Sequence, residues 1–159
     1  LKTILFNELA FIRTQTLKAM EGLTEEMADR IPDGFRNNIR WHLGHIYLVT
    51  DFLALSQLKL PMNLPEKFPD LFGTGKSPLD EDAHLFPLPT LPELKELLAG
   101  QIERIRQILP VDRLNETVST ITTSGGNDLV TPEQALVYNL YHEGMHFSTL
   151  SLYKRMLSK

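Results

Sequence analysis

Six of the chain's ten prolines fall between residues 61 and 89: Pro61, Pro65, Pro69, Pro78, Pro87 and Pro89. Proline lacks a backbone donor and clashes with the preceding helical turn, so no long helix or central strand survives across such a stretch. The prolines therefore divide the chain into helical periodicity before residue 59 and helical periodicity after residue 90. Leu1, Ile4, Leu5, Leu9, Ile12, Leu17, Met20 and Leu23 repeat at helical spacing and predict a first amphipathic helix over 1–23, with Gly22 weakening its end. Thr24 reads as the cap of a short turn over 25–30, closed by Pro32-Asp33-Gly34. A second helix is expected from Asn37 or Asn38 to about Leu58, with Trp41, His45, Leu48, Phe52 and Leu55 on its core face. His42 falls on the shoulder of that face, beside Ile46, Val49 and Leu53.

Beyond the prolines, Thr90-Leu91-Pro92-Glu93 is a capping box with proline in the first turn. It opens a third helix through Leu94, Leu97, Leu98, Ile102, Ile105 and Leu109, which Pro110 stops. Residues 111–130 are polar and β-branched, and Gly125-Gly126-Asn127-Asp128 suits the turn of a small hairpin. A second capping box, Thr131-Pro132-Glu133-Gln134, starts a fourth helix that runs to about Met156. It carries one stripe of Ala135, Tyr138, His142, Met145, His146, Thr149 and Tyr153, and a far stripe of Leu136, Leu140, Phe147 and Leu150. A helix this apolar all round is expected to be buried all round, which assigns the far stripe to a subunit interface and predicts a homodimer. The expected architecture is all-α: one domain over 1–159, in which four helices surround a core. Residues 59–90 form a long crossover between the second and third helices, pinned to the outside by Leu64, Phe68, Leu71, Phe72, Leu85 and Phe86. Loops of that length in a compact domain tend to be functional.

Composition narrows the function. A net charge of −4 with no basic run argues against nucleic acid as a partner, because that binding rests on clustered Lys and Arg. No apolar run approaches the ~18 residues of a membrane span, and no secretory leader is read, so the expected compartment is the cytoplasm. There is no cysteine. That excludes disulfides, thiolate metal sites and a protein thiol nucleophile, so any thiol chemistry must use a thiol carried in on a small-molecule substrate.

Four of the five histidines lie in two clusters, Trp41-His42-Leu43-Gly44-His45 and His142-Glu143-Gly144-Met145-His146. Residues four apart on a helix share a face with Cβ atoms ~5–6 Å apart, so His142 and His146 are two natural arms for one metal ion. The first cluster offers a third. Converging neutral imidazoles on two buried faces need a partner. Hydrogen-bonded core histidines are the plainer alternative. An all-nitrogen donor set suits a divalent transition metal such as Zn, Ni or Fe. Three protein ligands would leave a position open, which is the catalytic pattern, and water or thiol held there would lose its proton near neutral pH.

His142-Glu143-x-x-His146 also fits the H-E-x-x-H template of zinc peptidases. No Asp or Glu follows Glu143 to act as an acidic third ligand, and Thr149 and Leu152 stand where a metzincin needs Gly and His, so the match reads as a decoy. Glu143 points about 100° from His142 around the helix and is read as an outer partner of the ligands, an interface residue, or a solvated or salt-bridged glutamate. His84, alone in the crossover, reads as a surface residue that enters the site only if the loop folds over it. Asn139, one turn before His142, reads as capping neighbours or binding core water before orienting a ligand, and Tyr138 and Tyr153, which flank the pair, read as core packing before pocket lining.

At these residues the chain resembles the DinB-like (DinB/YfiT-like) metalloenzyme superfamily, in layout over most of its length. The Trp41-His42-x-Gly44-His45 form also resembles the iron-binding helical domain of sulfoxide synthases that make ergothioneine. The resemblance implies a four-helix bundle of up-down-down-up topology, commonly dimeric, with His45, His142 and His146 as metal ligands and no usual ligand at the position of His42. It implies a metal rather than one reaction: relatives include thiol S-transferases using bacillithiol or mycothiol-like cofactors, a mycothiol-dependent maleylpyruvate isomerase and stress-induced proteins. The expected function is a metal-dependent thiol S-transferase that uses a low-molecular-weight thiol against an electrophile held under the crossover. The alternatives are a non-catalytic metal-binding dimeric stress or interaction module, and a metal-dependent hydrolase.

Overall fold

Four helix starts in this protein follow from side-chain caps. In the computed structural model, which describes residues 2–158, six α-helices are Lys2–Ala19 (α1), Glu25–Asp29 (α2), Ile39–Leu55 (α3), Phe68–Phe72 (α4), Leu91–Ile108 (α5) and Pro132–Leu157 (α6). The expected start of the first helix at Leu1 lies outside the described residues. Thr24 accepts from the Met27 amide, and Asn38 accepts from the Trp41 amide. Both capping boxes form, Thr90 with Glu93 and Thr131 with Gln134. Each satisfies amide groups that the first turn leaves without a helical partner. The hairpin is short, Ile121–Thr122 (β1) paired antiparallel with Asp128–Leu129 (β2), Ile121 opposite Leu129.

The four long helices pack on one another, with α6 against α1 and α3, and α5 against α1 and α3. Two large apolar clusters fill the interior, with a small third of Leu53, Leu129 and Ala135 beside the hairpin. One gathers Leu5, Phe6 and Leu9 with Leu55, Ile105 and Leu136; the other joins Trp41, Ile46 and Phe72 with Leu94, Leu98 and Leu150. Among the described residues no helix is long and apolar enough to cross a membrane.

Three expectations need correction. The helix buried nearly all round is α3, not α6: every residue of α3 is buried except Val49 and Phe52. The crossover explains this, because α4 lies in it and lays Phe68, Leu71 and Phe72 over the face of α3 that the other long helices leave open. Phe52, placed in the core by its spacing, is 43% exposed, and Leu85, expected to pin the crossover, is 65% exposed. On α6 the far stripe is covered within the subunit. Leu136 and Leu150 are buried in the two clusters, while Leu140 and Phe147 are half-buried. The apolar side chains that α6 leaves exposed are Val137, Tyr141, Met145, Leu152 and Met156. A dimer through the far stripe would have to displace α1.

The first turns of α3 are tied down hard. Arg40, 4% exposed, donates to Asp29 (2.5 Å) and Glu25 (2.6 Å) of α2 and to the Pro89 carbonyl (2.6 Å). Glu25 in turn accepts from the Leu91 amide at 2.9 Å. One guanidinium thus fixes α2, the end of the crossover and the start of α5 around the turn of α3 that carries the first histidine cluster.

Candidate metal centre

Helices α3 and α6 cross the core in opposite directions, because His42 meets His146 while His45 meets His142. Nε2 of His142 lies 3.3 Å from Nε2 of His45 and 3.2 Å from Nε2 of His146. All three rings are buried, and a ligand atom from each falls within 4.8 Å of the others. The other edge of His45 donates from Nδ1 to the Phe72 carbonyl at 2.6 Å. That bond puts the ring proton on Nδ1 and leaves the Nε2 lone pair facing the cluster.

The spacing suits an ion. Metal–nitrogen bonds of about 2.0–2.1 Å at angles between about 90° and 110° place ligand nitrogens roughly 2.8–3.4 Å apart, which is the separation of His142 from each of the other two rings. A carbonyl that fixes the tautomer of a ligating histidine is the usual outer support of such a site. The residues present therefore fit a three-nitrogen centre with a position to spare.

Burial disfavours a positive charge on any of these rings. Burial together with the neighbouring His45 lowers the His42 pKa to about 4. Burial, again with His45, brings His142 to about 3. Burial together with His142, His45 and His42 brings His146 to about 2. His45 is lowered by burial and partly restored by its bond to Phe72. Around neutral pH all four imidazoles are neutral, the form that ligates metals.

The Trp41-to-His45 motif is accounted for residue by residue. The Trp41 indole stacks on the His45 ring, 4.5 Å between centroids and 14° between planes. Gly44 faces Phe72 so closely that a Cβ would lie 2.4–2.6 Å from its ring carbons. Only glycine lets α4 approach near enough for the Phe72 carbonyl to reach His45. Gly44→Ala is expected to lower stability by about 2 kcal/mol, since overpacking of up to ~3 outweighs the ~1 gained in helix propensity. It is also expected to weaken metal binding about tenfold by displacing the carbonyl. Urea unfolding and chelator competition measure the two; equal values for variant and wild type would remove Phe72 from the site.

Other candidates lie elsewhere. His84 is exposed and meets none of the other histidines; it lines a cavity of about 200 Å³ together with Trp41 and Phe72. The larger cavity under the crossover, about 800 Å³, lies between that segment and α5, and no histidine lines it. Of the two spaces under the crossover, only the smaller is lined by residues that touch His45, namely Trp41 and Phe72. Tyr138 and Tyr153 do flank the site, Tyr138 with its centroid 6.4 Å from that of His142 and Tyr153 5.3 Å from that of His42. Asn139 is fully buried and accepts from Thr50 at 3.2 Å.

Glu143 turns wholly away. Its two oxygens accept from Arg13 at 2.7 and 3.1 Å, and Oε1 also accepts from Thr16 at 2.9 Å. Arg13 goes on to the Leu98 carbonyl and to Gln101, and Gln101 and Arg104 both donate to Asp51. This network joins all four long helices through the interior. The glutamate of the H-E-x-x-H match is therefore a buried structural anion with no access to the imidazole cluster.

The family model described as the DinB superfamily matches residues 8–150. The chain belongs to the DinB superfamily. The match begins inside α1 and ends inside α6, so it includes both histidine clusters of this DinB protein. Comparison with curated proteins finds no match. Two contributions to the site had no counterpart in the sequence reading. They are the Phe72 carbonyl, which is invisible to side-chain patterns, and the contact between His42 and His146, for which the shared face of His42 and His45 was a usable signal.

Proposed function

We propose that His45, His142 and His146 of this DinB protein hold one divalent transition ion, of the Zn, Ni or Fe class, and that the protein is a metal-dependent thiol S-transferase. The observation that carries the reading is that Nε2 of His142 stands at ligand spacing from Nε2 of both His45 and His146, with a ligand atom of each ring within 4.8 Å of the others and one tautomer already set by a backbone carbonyl. The ion would supply Lewis acidity, drawing off the proton of a low-molecular-weight thiol near neutral pH. The protein supplies the rest: three nitrogen ligands, the stacked Trp41 that holds the His45 ring, and Tyr138 and Tyr153 beside the cluster. The absence of cysteine leaves no protein thiol to compete with the incoming one. The burial of Glu143 against Arg13 removes the candidate base of a peptidase-type hydrolase.

The test is conjugation of monochlorobimane by the purified protein with a panel of small thiols. At least one thiol is expected to react faster, with the acceleration lost on chelation and in His146→Ala. Stoichiometric metal without turnover for any thiol would favour a non-catalytic binding module.

Two further readings belong with this one. The up-down-down-up order of the long helices is the arrangement the family resemblance implies. A homodimer would pair the exposed face of α6, Val137, Tyr141, Met145, Leu152 and Met156, with the same face of a second copy, as an isologous interface requires. Sedimentation is expected to give a dimer at micromolar concentration that Tyr141→Glu converts to monomer; a wild-type monomer defeats it.

A further inference from the structure

We propose that His42 is a positioning residue that holds the ligand His146 in its binding tautomer; this rests on the three-histidine reading above. Nδ1 of His42 lies 2.8 Å from Nδ1 of His146. The two atoms share one proton between them. A ring that ligates through Nε2 carries its proton on Nδ1. His146, whose Nε2 faces His142, therefore donates from Nδ1, and His42 must accept with a bare Nδ1.

Three observations support this direction. His42 contacts the rear edge of His146, away from the Nε2 cluster, so it is placed to orient a ligand rather than to be a fourth one. Its ring is held edge-on between two aromatics, Trp41 at 5.3 Å and 86° and Tyr153 at 5.3 Å and 76°. Its orientation therefore does not depend on the bond to His146. Its own Nε2 is buried with no hydrogen-bond partner among the described residues, so no donor there holds the ring in the opposite tautomer. Phe72 does for His45 what His42 does for His146: each rear nitrogen is met by an acceptor. Among the described residues His142 has no such partner, since its Nδ1 is buried without a hydrogen bond to any of them. The two supports thus act on the two ligands that flank His142.

The experiment measures zinc affinity, by competition with a chromophoric chelator, for wild type, His42→Leu and His42→Asn. Leucine fills the space without an acceptor. Asparagine sets its Oδ1 where Nδ1 stands. Loss of outer support typically weakens metal binding 10–100-fold, so His42→Leu is expected to fall by about that factor while His42→Asn stays within about threefold of wild type. Nitrogen NMR of the ¹⁵N-labelled, zinc-loaded wild type reads the proton directly. The expected result is His42 as the Nε2–H tautomer, with a coupling between the two Nδ1 atoms across the bond. Wild-type affinity in His42→Leu, failure of folded His42→Asn to recover affinity, or a proton on Nδ1 of His42 would each overturn the assignment. A wild type that takes up no zinc is a different result: it overturns the three-histidine reading on which the assignment stands.

Discussion

Glu143→Ala is expected to lower the unfolding free energy by about 3–5 kcal/mol, because it strands a buried guanidinium without its counter-charge. Arg13 is 3% exposed and Glu143 is fully buried, and their pairing is bidentate. Once the carboxylate is gone, Thr16 loses its acceptor and Arg13 keeps only neutral ones: the Leu98 carbonyl, Gln101 and a long contact to Thr50. A deficit of that size in a chain of this length lowers the midpoint of thermal unfolding by on the order of 10 °C. Arg13→Met combined with Glu143→Leu is expected to recover much of the loss, since a buried pair replaced by apolar groups of similar volume is often close to neutral. The recovery would appear as a large coupling in the double-mutant cycle. Glu143→Gln is expected to keep the metal content of wild type while it loses stability. If Glu143 were the base of a peptidase, the same variant would lose a hydrolytic activity at unchanged stability, and that outcome would overturn its structural assignment.

The metal-free protein is expected to lose about 4 kcal/mol of stability between pH 7.5 and pH 5.5. His42, His142 and His146 stay neutral in the folded state across that interval, with pKa values of about 4, 3 and 2. In the unfolded chain each titrates near 6.5 and binds a proton as the pH falls. A basic group whose folded pKa is depressed favours folding fully above its unfolded pKa. That contribution is lost as the pH drops from about 6.5 towards the folded values. Each ring costs about 1.4 kcal/mol over the stated interval, and three give about 4. His45, also lowered, acts in the same direction. The carboxylates that are held low, Glu25, Glu93 and Glu116, weaken only below their ordinary value of 4.5 and so do not blur the window. Urea unfolding in excess chelator at the two pH values measures the difference. Equal stability at both would mean that the rings are hydrated or charged in the folded protein. Protons also compete directly with the ion, so the loaded protein is expected to release it over the same range.

The helices were legible in the sequence because their starts are chemical signals. Thr24, Asn38, Thr90 and Thr131 all cap as their side chains require. The ends were less so. α1 stops at Ala19, short of Leu23, and α3 stops at Leu55, short of Leu58, and each then turns out through a residue of positive φ, Gly22 at 73° and Lys59 at 53°, with the Leu60 amide closing back on the Leu55 carbonyl. The histidine cluster was legible as two spacings that had to meet. Which helix face would be covered was not. Phe52 shares the core periodicity of α3 yet lies outside, and the far stripe of α6 belongs to the subunit core. Periodicity reports that a face is apolar, and only packing decides what lies against it. Glu143 shows the same limit from the other side: a salt bridge was among its readings, but its partner Arg13 is 130 residues away and no local spacing points to it. The roles of Gly44 and Phe72 depend on the crossover folding back over α3, which the proline pattern alone does not specify.

Anomalous diffraction, recorded above and below the absorption edge of the ion in crystals of the metal-loaded protein, tests the three-histidine centre most directly. A single peak about 2.0–2.1 Å from Nε2 of His45, His142 and His146 is the expected result. No peak between α3 and α6, or a peak ligated by other side chains while these rings bond only to one another, would contradict it.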